Sequence, residues 1–294
     1  MTKGVYRRQT KEETVRKIAL LQEMQSMPLH KKIDITNKVL NATETKFENN
    51  CLLFSGGKDS TVLLHLMKKA GYNFFAMYNN TTLGDPKADE FTRSIVKKFD
   101  VEYIETTANN PVKMWQEKGY FPILSKQWFM RYKKENPSLR INPVQCCYQL
   151  KEKYSNKVLT ARKVKNVFWG NRADESQRRK FSFVDNGFYF KPKKYKWHQC
   201  YPIQHWTRKD VIDYLNIHIP NYPVTANFES GCLCCGTDIQ KQFNTLKKLH
   251  DADYQKWLYY MRAGFGSEIL KIKGVDPKKL EQVIKNKKEI LFRI

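Results

Sequence analysis

Ser55-Gly56-Gly57-Lys58-Asp59-Ser60 is the stretch on which the reading of this chain turns. A short apolar run, Cys51–Phe54, precedes it, and a helix is expected from about Thr61 to Lys69, with Gly71 as its C-terminal stop. A tight Gly-Gly turn between a strand and a helix lies where open α/β sheets bind ligands. Gly56 and Gly57 let backbone N–H groups approach phosphate oxygens closely. Ser55 and Ser60 add hydroxyl groups, and the helix N-terminus adds a favourable dipole. Asp59 cannot be there to attract phosphate, so its carboxylate is expected to hold Mg²⁺ or to orient the loop. The spacing is not that of the Walker A loop, which puts four residues between its first glycine and Gly-Lys-Ser/Thr.

Working outward, Phe74–Tyr78 reads as a second strand, Asp85–Phe99 as a helix and Val101–Thr106 as a third strand. Asn166–Gly170 reads as a further strand. Strands alternating with helices of this kind imply βαβ units and a parallel sheet. Residues 10–47 read as helical with a break at Met27-Pro28. Residues 181–203, with turn signals at Asp185-Asn186-Gly187 and around Pro192, read as a hairpin or irregular insertion, and Thr207 as the N-cap of a helix over Thr207–Asn216. Two further helices are expected at Asp238–Arg262 and Pro277–Phe292. The expected plan is α/β: a helical N-terminal arm (1–47), a parallel-sheet nucleotide-binding core (48–206) and a helical C-terminal subdomain (207–294).

A second motif follows the strand at Asn166–Gly170. Gly170-Asn171-Arg172-Ala173-Asp174-Glu175-Ser176-Gln177-Arg178-Arg179 places arginines where guanidinium groups can hold an anion bidentately. Read alone, the segment is better taken as a solvated charge run opening a helix. Together, the six-residue loop and this motif resemble the PP-loop signature S-G-G-x-D-S and the G-x-R-x-x-E-S-x-x-R element of the phosphoadenosine phosphosulfate (PAPS) reductase family. Tyr201-Pro202 through Trp206-Thr207 and Asp210-Val211 is similar to the same family, and the resemblance covers roughly residues 48–240. It implies a Rossmann-like adenine nucleotide alpha hydrolase core. It also implies an adenine-nucleotide site made of Ser55, Gly56, Gly57, Lys58, Asp59, Ser60, Asn80, Arg172, Glu175 and Arg179. Lys58 and Asp59 are the catalytic candidates, Arg172 and Arg179 the anion ligands, and Glu175 the group positioning one of them. Asn79-Asn80-Thr81-Thr82 falls where the family recognises adenosine. His205 reads as structural.

The chain has seven cysteines. Clustered cysteines in a reducing compartment are more often metal ligands or catalytic groups than disulfides. Cys146-Cys147 followed by Lys151 resembles the CC-x-x-x-K element of the iron–sulfur branch of the family, and Cys232 and Cys235 resemble its second pair. The resemblance implies a [4Fe–4S] cluster on Cys146, Cys147, Cys232 and Cys235. Lys151 and Cys234 would then stand behind the ligands, Lys151 to stabilise the anionic cluster and Cys234 as a further thiol or sulfur carrier. A Zn²⁺ site is the alternative, since sulfur-only ligation suits zinc too. Cys51 reads as core and Cys200 is undecided.

The resemblance departs in one respect. Sulfonucleotide reductases of the family attack sulfur with a cysteine near the C-terminus in a Glu-Cys-Gly context, and this sequence has no cysteine after Cys235. Other members keep the PP-loop and the cluster but use ATP, among them DNA phosphorothioation ATPases and tRNA thiolation enzymes. The first expectation is therefore ATP with Mg²⁺ as substrate and sulfur transfer to tRNA or DNA, with a sulfur donor such as a cysteine desulfurase. Adenosine phosphosulfate (APS) or PAPS reduction with a displaced nucleophile is the second, and a non-catalytic nucleotide-binding subunit the third. Composition bears on the partner: 53 Lys+Arg against 29 Asp+Glu give a net charge of +24, which favours polyanions. The denser basic stretches are Arg131–Lys134, Arg178–Lys180 and Lys191–Lys196, and the last interleaves cations with aromatics. The charged N-terminal stretch and the lack of any apolar run of about 18 residues point to a cytoplasmic chain with no membrane partner.

Overall fold

The computed structural model describes residues 10–44, 49–84, 86–111, 134, 146–222 and 232. The expected helices at 238–262 and 277–292 lie outside them. The elements in chain order are α1 (Lys11–Ser26), α2 (Leu29–Glu44), β1 (Asn50–Leu53), α3 (Lys58–Lys69), β2 (Phe74–Asn80), α4 (Pro86–Phe99) and β3 (Glu102–Thr107). A π-helical turn at Tyr148–Glu152 then leads into α5 (Lys153–Ala161) and β4 (Asn166–Trp169). A 3₁₀ turn (Ala173–Glu175), α6 (Gln177–Asn186), β5 (Tyr189–Phe190), β6 (His198–Cys200) and α7 (Arg208–His218) follow. Among the described residues no helix is long and apolar enough to cross a membrane.

The chain forms two compact units. The first comprises Met1–Tyr78, Phe91–Ile104 and Val158–Ala226, and the second Asn79–Glu90, Glu105–Lys157 and Asn227–Ile294. The sheet has the order β3-β2-β1-β4-β6-β5. Its pairs β1–β2, β1–β4 and β4–β6 are parallel, and β5 runs antiparallel to β6 at the edge. The strand order reverses about β1, which places the loop after β1 at the switch point where such sheets bind ligands.

β1 is buried on both faces, as a central parallel strand should be. Leu52 joins a cluster with Leu63, Met67, Phe168, Cys200, Trp206 and Tyr214, and Cys51 joins another with Phe75, Met77, Val167 and Trp197. Cys51 and Cys200 are therefore core residues, and burial pushes the Cys200 thiol up to about 12.

Local chemistry sets the helix ends. Thr10 and Glu13 form a capping box on α1, with Glu13 accepting from the Thr10 N–H at 2.9 Å. Pro28 holds Met27 in an extended conformation and ends the helix there. Thr207 caps α7 in a second box with Asp210. The Asp210 carboxylate also meets the buried Lys32 ammonium at 2.6 Å, which fastens α2 to α7. His205 donates from Nε2 to the Lys32 carbonyl at 3.2 Å and sits in the core, as its structural reading expects.

One stretch differs from expectation. Residues 181–186 are the second half of α6, not part of a hairpin. Ser176 caps that helix by accepting from the Arg179 N–H, and Phe183 turns inward against Leu21 and Met24 of α1. Asp185-Asn186-Gly187 is a helix stop, with Gly187 at φ +68°. The hairpin begins only after it.

Candidate functional site

The first unit assembles the phosphate loop. Gly56 has φ +68°, and a Cβ there would lie 2.2 Å from the Thr92 hydroxyl oxygen. Both the conformation and the space demand glycine. The loop carbonyls are occupied by protein donors. Thr92 donates to Ser55 O at 3.3 Å, Tyr222 to Gly56 O at 3.0 Å and Ser60 Oγ to Gly57 O at 2.9 Å. Burial, with the Asp59 charge adding to it, pushes the Tyr222 phenol up to about 12, so it remains a donor. No side chain caps α3 at Gly57. The N–H groups of Lys58, Asp59 and Ser60, in the first turn, have no intrahelical acceptor, and the helix dipole is positive there.

The end of β4 closes on this turn. A Cβ on Gly170 would lie 2.7 Å from Ser60 N and 2.8 Å from Ser60 Cα, so only glycine permits the approach. Two residues on, the Arg172 guanidinium is buried between two carboxylates. Nε lies 2.7 Å from Asp59 Oδ1, and a terminal nitrogen lies 3.1 Å from Asp174 Oδ2. The first is an ion contact, since neither Nε nor Oδ1 is aligned for a hydrogen bond. Lys58 Nζ holds the other Asp59 oxygen at 3.0 Å. Asp174 also accepts from the Arg208 N–H at 2.8 Å, at the start of α7. Glu175 accepts from the Arg172 N–H at 2.9 Å and pairs with the Arg179 guanidinium. Burial lowers the Arg179 pKa, Asp59 pulls it back up and Arg172 lowers it further, so Arg179 feels the same group of charges.

Lys58, Asp59, Arg172, Glu175 and Arg179 are thus brought together on one unit with Ser55, Gly56, Gly57 and Ser60. Arg172 is 4 % exposed and committed to carboxylates, whereas Lys58 and Arg179 are 31 % and 39 % exposed. Sequence reasoning missed Thr92 and Tyr222 as residues that pin the loop. It also missed the contacts of Gly170 with Ser60 and of Asp174 with Arg172, although both residues stand inside the motif Gly170–Arg179.

Asn80 belongs to the second unit. Its side chain donates to Glu105 at 2.8 Å and accepts from the Thr82 N–H at 2.8 Å. Beside it the Asn79 amide oxygen accepts from the hydroxyls of Thr106 and Ser155, each at 2.7 Å. The same unit carries Cys146, which is buried, and Cys147, which is exposed. Lys151 follows in the π-helical turn. The Cys232 thiol lies 3.3 Å from the Thr81 hydroxyl. Cys234 and Cys235 lie outside the described residues. Among the described residues no group of three or more His, Cys, Asp or Glu is placed to hold a metal ion. The described thiols do not by themselves fit a metal centre.

The family model described as "Phosphoadenosine phosphosulfate reductase domain" matches residues 49–235. An uncharacterised protein of Methanocaldococcus jannaschii is 26 % identical over 249 residues, 80 % of this chain and 55 % of that protein. Sulfate adenylyltransferase subunit 2 of Akkermansia muciniphila is 27 % identical over 203 residues, 59 % of this chain and 58 % of that protein. The chain thus spans little more than half the length of these relatives. The PAPS reductase of Candida auris, solved as a phosphate complex, aligns with a TM-score of 0.45 and 13 % identity, over 72 % of this chain and 88 % of that one.

Proposed function

The chain belongs to the phosphoadenosine phosphosulfate reductase domain family, and on that premise we propose that it is a PP-loop enzyme that uses ATP to activate an oxygen of a nucleic acid for sulfur transfer. The observation that carries the nucleotide reading is the uncapped first turn of α3, with the loop carbonyls turned into the protein and two accessible cations, Lys58 and Arg179, beside it. That arrangement suits a polyphosphate held by backbone N–H groups and neutralised from the side.

In the proposed step a target oxygen attacks the α-phosphorus. The bond to the bridging oxygen breaks, pyrophosphate leaves and the target is adenylylated. Sulfide supplied by a separate sulfur donor then bonds to the activated atom as that atom's bond to the adenylyl oxygen breaks, and AMP leaves. Negative charge builds on the leaving group, which the α3 N-terminus, Lys58 and Arg179 are placed to stabilise. Asp59 fixes Lys58 at 3.0 Å and is the loop carboxylate available to the Mg²⁺ that arrives with ATP. Arg172 acts through Asp59, holding its carboxylate in place. The likeness to a sulfate adenylyltransferase subunit supports chemistry at the α-phosphate. The net charge of +24 supports a polyanionic target. A [4Fe–4S] cluster on Cys146, Cys147, Cys232 and Cys235, with Zn²⁺ as the alternative, is part of the proposal and rests on their resemblance to the family's cysteine pairs.

The test is nucleotide affinity on anaerobically purified protein, with ATP·Mg²⁺ compared against APS and PAPS, followed by AMP release with added sulfide and tRNA or DNA. Tight ATP binding and polyanion-stimulated AMP release are expected. The description of the matching family favours one other reading, sulfonucleotide reduction. A preference for APS or PAPS with sulfite release would establish that reading and overturn the first. ATP binding without turnover in the presence of either polyanion would reduce the protein to a nucleotide-binding subunit.

A further inference from the structure

From Asn186 to Lys209 the chain has no acidic residue, and it carries Lys191, Lys193, Lys194, Lys196, Arg208 and Lys209. The four lysines between β5 and β6 are all exposed. Clustering like charge on one short connection costs self-repulsion.

Beside this loop runs a row of rings. Phe190 stacks on Tyr201 with centroids 5.9 Å apart and planes 11° from parallel. Tyr201 in turn stacks on Trp169, at 6.3 Å and 17°. Tyr195 stacks on the buried Trp197 at 4.9 Å, and the Lys194 ammonium lies 5.1 Å over the Tyr195 ring. Phe190, Tyr195, Tyr201 and Trp169 are only half-buried. Trp169 Nε1 is a buried donor without an acceptor among the described residues. The row also has a direction. It starts on the edge strand β5 and crosses to the end of β4, where Trp169 is followed by Gly170, which lies against the first turn of α3.

We propose that this sheet edge and its lysine loop bind single-stranded nucleic acid, with the Phe190–Tyr201–Trp169 rings receiving bases and Lys191, Lys193, Lys194 and Lys196 the phosphates. Near-parallel, half-exposed rings offer faces that bases occupy only when unpaired, which selects a single strand over a duplex. The lysines supply the sequence-independent attraction along the backbone. The inference rests on the proposed function in taking a nucleic acid as the target, and it deepens that reading by giving the target a path toward the phosphate loop.

The test is fluorescence anisotropy on the full chain at several KCl concentrations. The probes are a labelled oligouridylate and its duplex with oligoadenylate, with heparin as competitor. Wild type should bind the single strand more tightly than the duplex. Lys191→Gln/Lys193→Gln/Lys194→Gln/Lys196→Gln should flatten the dependence of log K on log salt by up to about 3, at about 0.7 per lysine that neutralises a phosphate. Phe190→Leu/Tyr201→Leu should weaken binding on the order of tenfold and leave the salt slope unchanged. If that pair fails to fold, Phe190→Leu alone is read the same way. Unchanged affinity in both variants overturns the proposal, as does preference for the duplex. A changed slope with no effect of the ring variants, and equal competition by heparin, would mean a patch for polyanions generally and also overturns it. Thermal stabilisation of each variant by ATP·Mg²⁺ is read in parallel. Failure of that signal in wild type would sink the proposed function and leave the oligonucleotide result standing on its own.

Discussion

Replacing Arg172 with methionine tests the central electrostatic arrangement of the site. The guanidinium is 4 % exposed and lies between Asp59 and Asp174, 2.7 and 3.1 Å away. Methionine fills much of the same volume but strands the Asp59 carboxylate, itself only 15 % exposed. Removing one partner of a buried ion pair costs about 3–5 kcal/mol, because the remaining charge is left without compensation. Two features argue for the low end. Lys58 still holds one Asp59 oxygen at 3.0 Å, and Asp174 is more exposed and keeps the Arg208 N–H at 2.8 Å. A loss of about 3 kcal/mol in a domain of this size lowers Tm by about 6–12 °C. Thermal unfolding of wild type, R172M, D59N and the double variant, followed by circular dichroism, measures it. D59N removes the stranded charge, so the double variant should be less destabilised than the two singles predict, by about 1 kcal/mol or more. A Tm for R172M within about 2 °C of wild type would refute the reasoning. So would additivity of the two substitutions within about 0.5 kcal/mol.

Gly56→Ala combines a left-handed backbone with a 2.2 Å approach to the Thr92 hydroxyl. It should destabilise the protein by about 1–3 kcal/mol and abolish its thermal stabilisation by ATP·Mg²⁺. Adding Thr92→Ala should return part of the stability, because it removes the closest atom. Stability should also fall in acid. Burial holds the His205 imidazole near a pKa of about 4 against an ordinary 6.5. The unfolded chain therefore takes up this proton first, and stability present above pH 6.5 is lost as pH falls toward 4, by up to about 3 kcal/mol. Burial pushes the Asp210 pKa up, but hydrogen bonds from Lys32 and Thr207 bring it below its ordinary value, so that contribution too is lost on acidification. Urea midpoints measured against pH should flatten over this range in His205→Gln. Finally, anaerobically purified protein should carry iron and acid-labile sulfide in equal amounts. Cys146→Ser and Cys235→Ser should each remove both, whereas zinc without sulfide would establish the alternative.

What could be read in advance was chemistry confined to a few adjacent residues. Ser55–Ser60 announced a strand–turn–helix, Met27-Pro28 a break and Thr207 a cap, because each signal and its cause lie within one turn of chain. Asp185-Asn186-Gly187 was misread for the same reason. A glycine with positive φ ends a helix as readily as it turns a hairpin, and only the packing of Phe183 on Leu21 and Met24 decides between them. Thr92 and Tyr222 were invisible, since nothing local marks a residue that pins a loop distant in sequence. The run Arg172–Arg179 shows the deeper limit. As a sequence it reads as a basic patch for an anion, yet Arg172 and Arg179 are paired with Asp59, Asp174 and Glu175. The charge of the loop region is nearly balanced, so the nucleotide affinity proposed for it would have to come from directed N–H groups and the accessible faces of Lys58 and Arg179. Part of the surplus of +24 lies instead along segments such as 191–196, where no carboxylate answers it within the segment. On the proposed reading, electrostatic steering and nucleotide recognition are carried by different residues. Salt should weaken the capture of a polyanion far more than it weakens the binding of ATP.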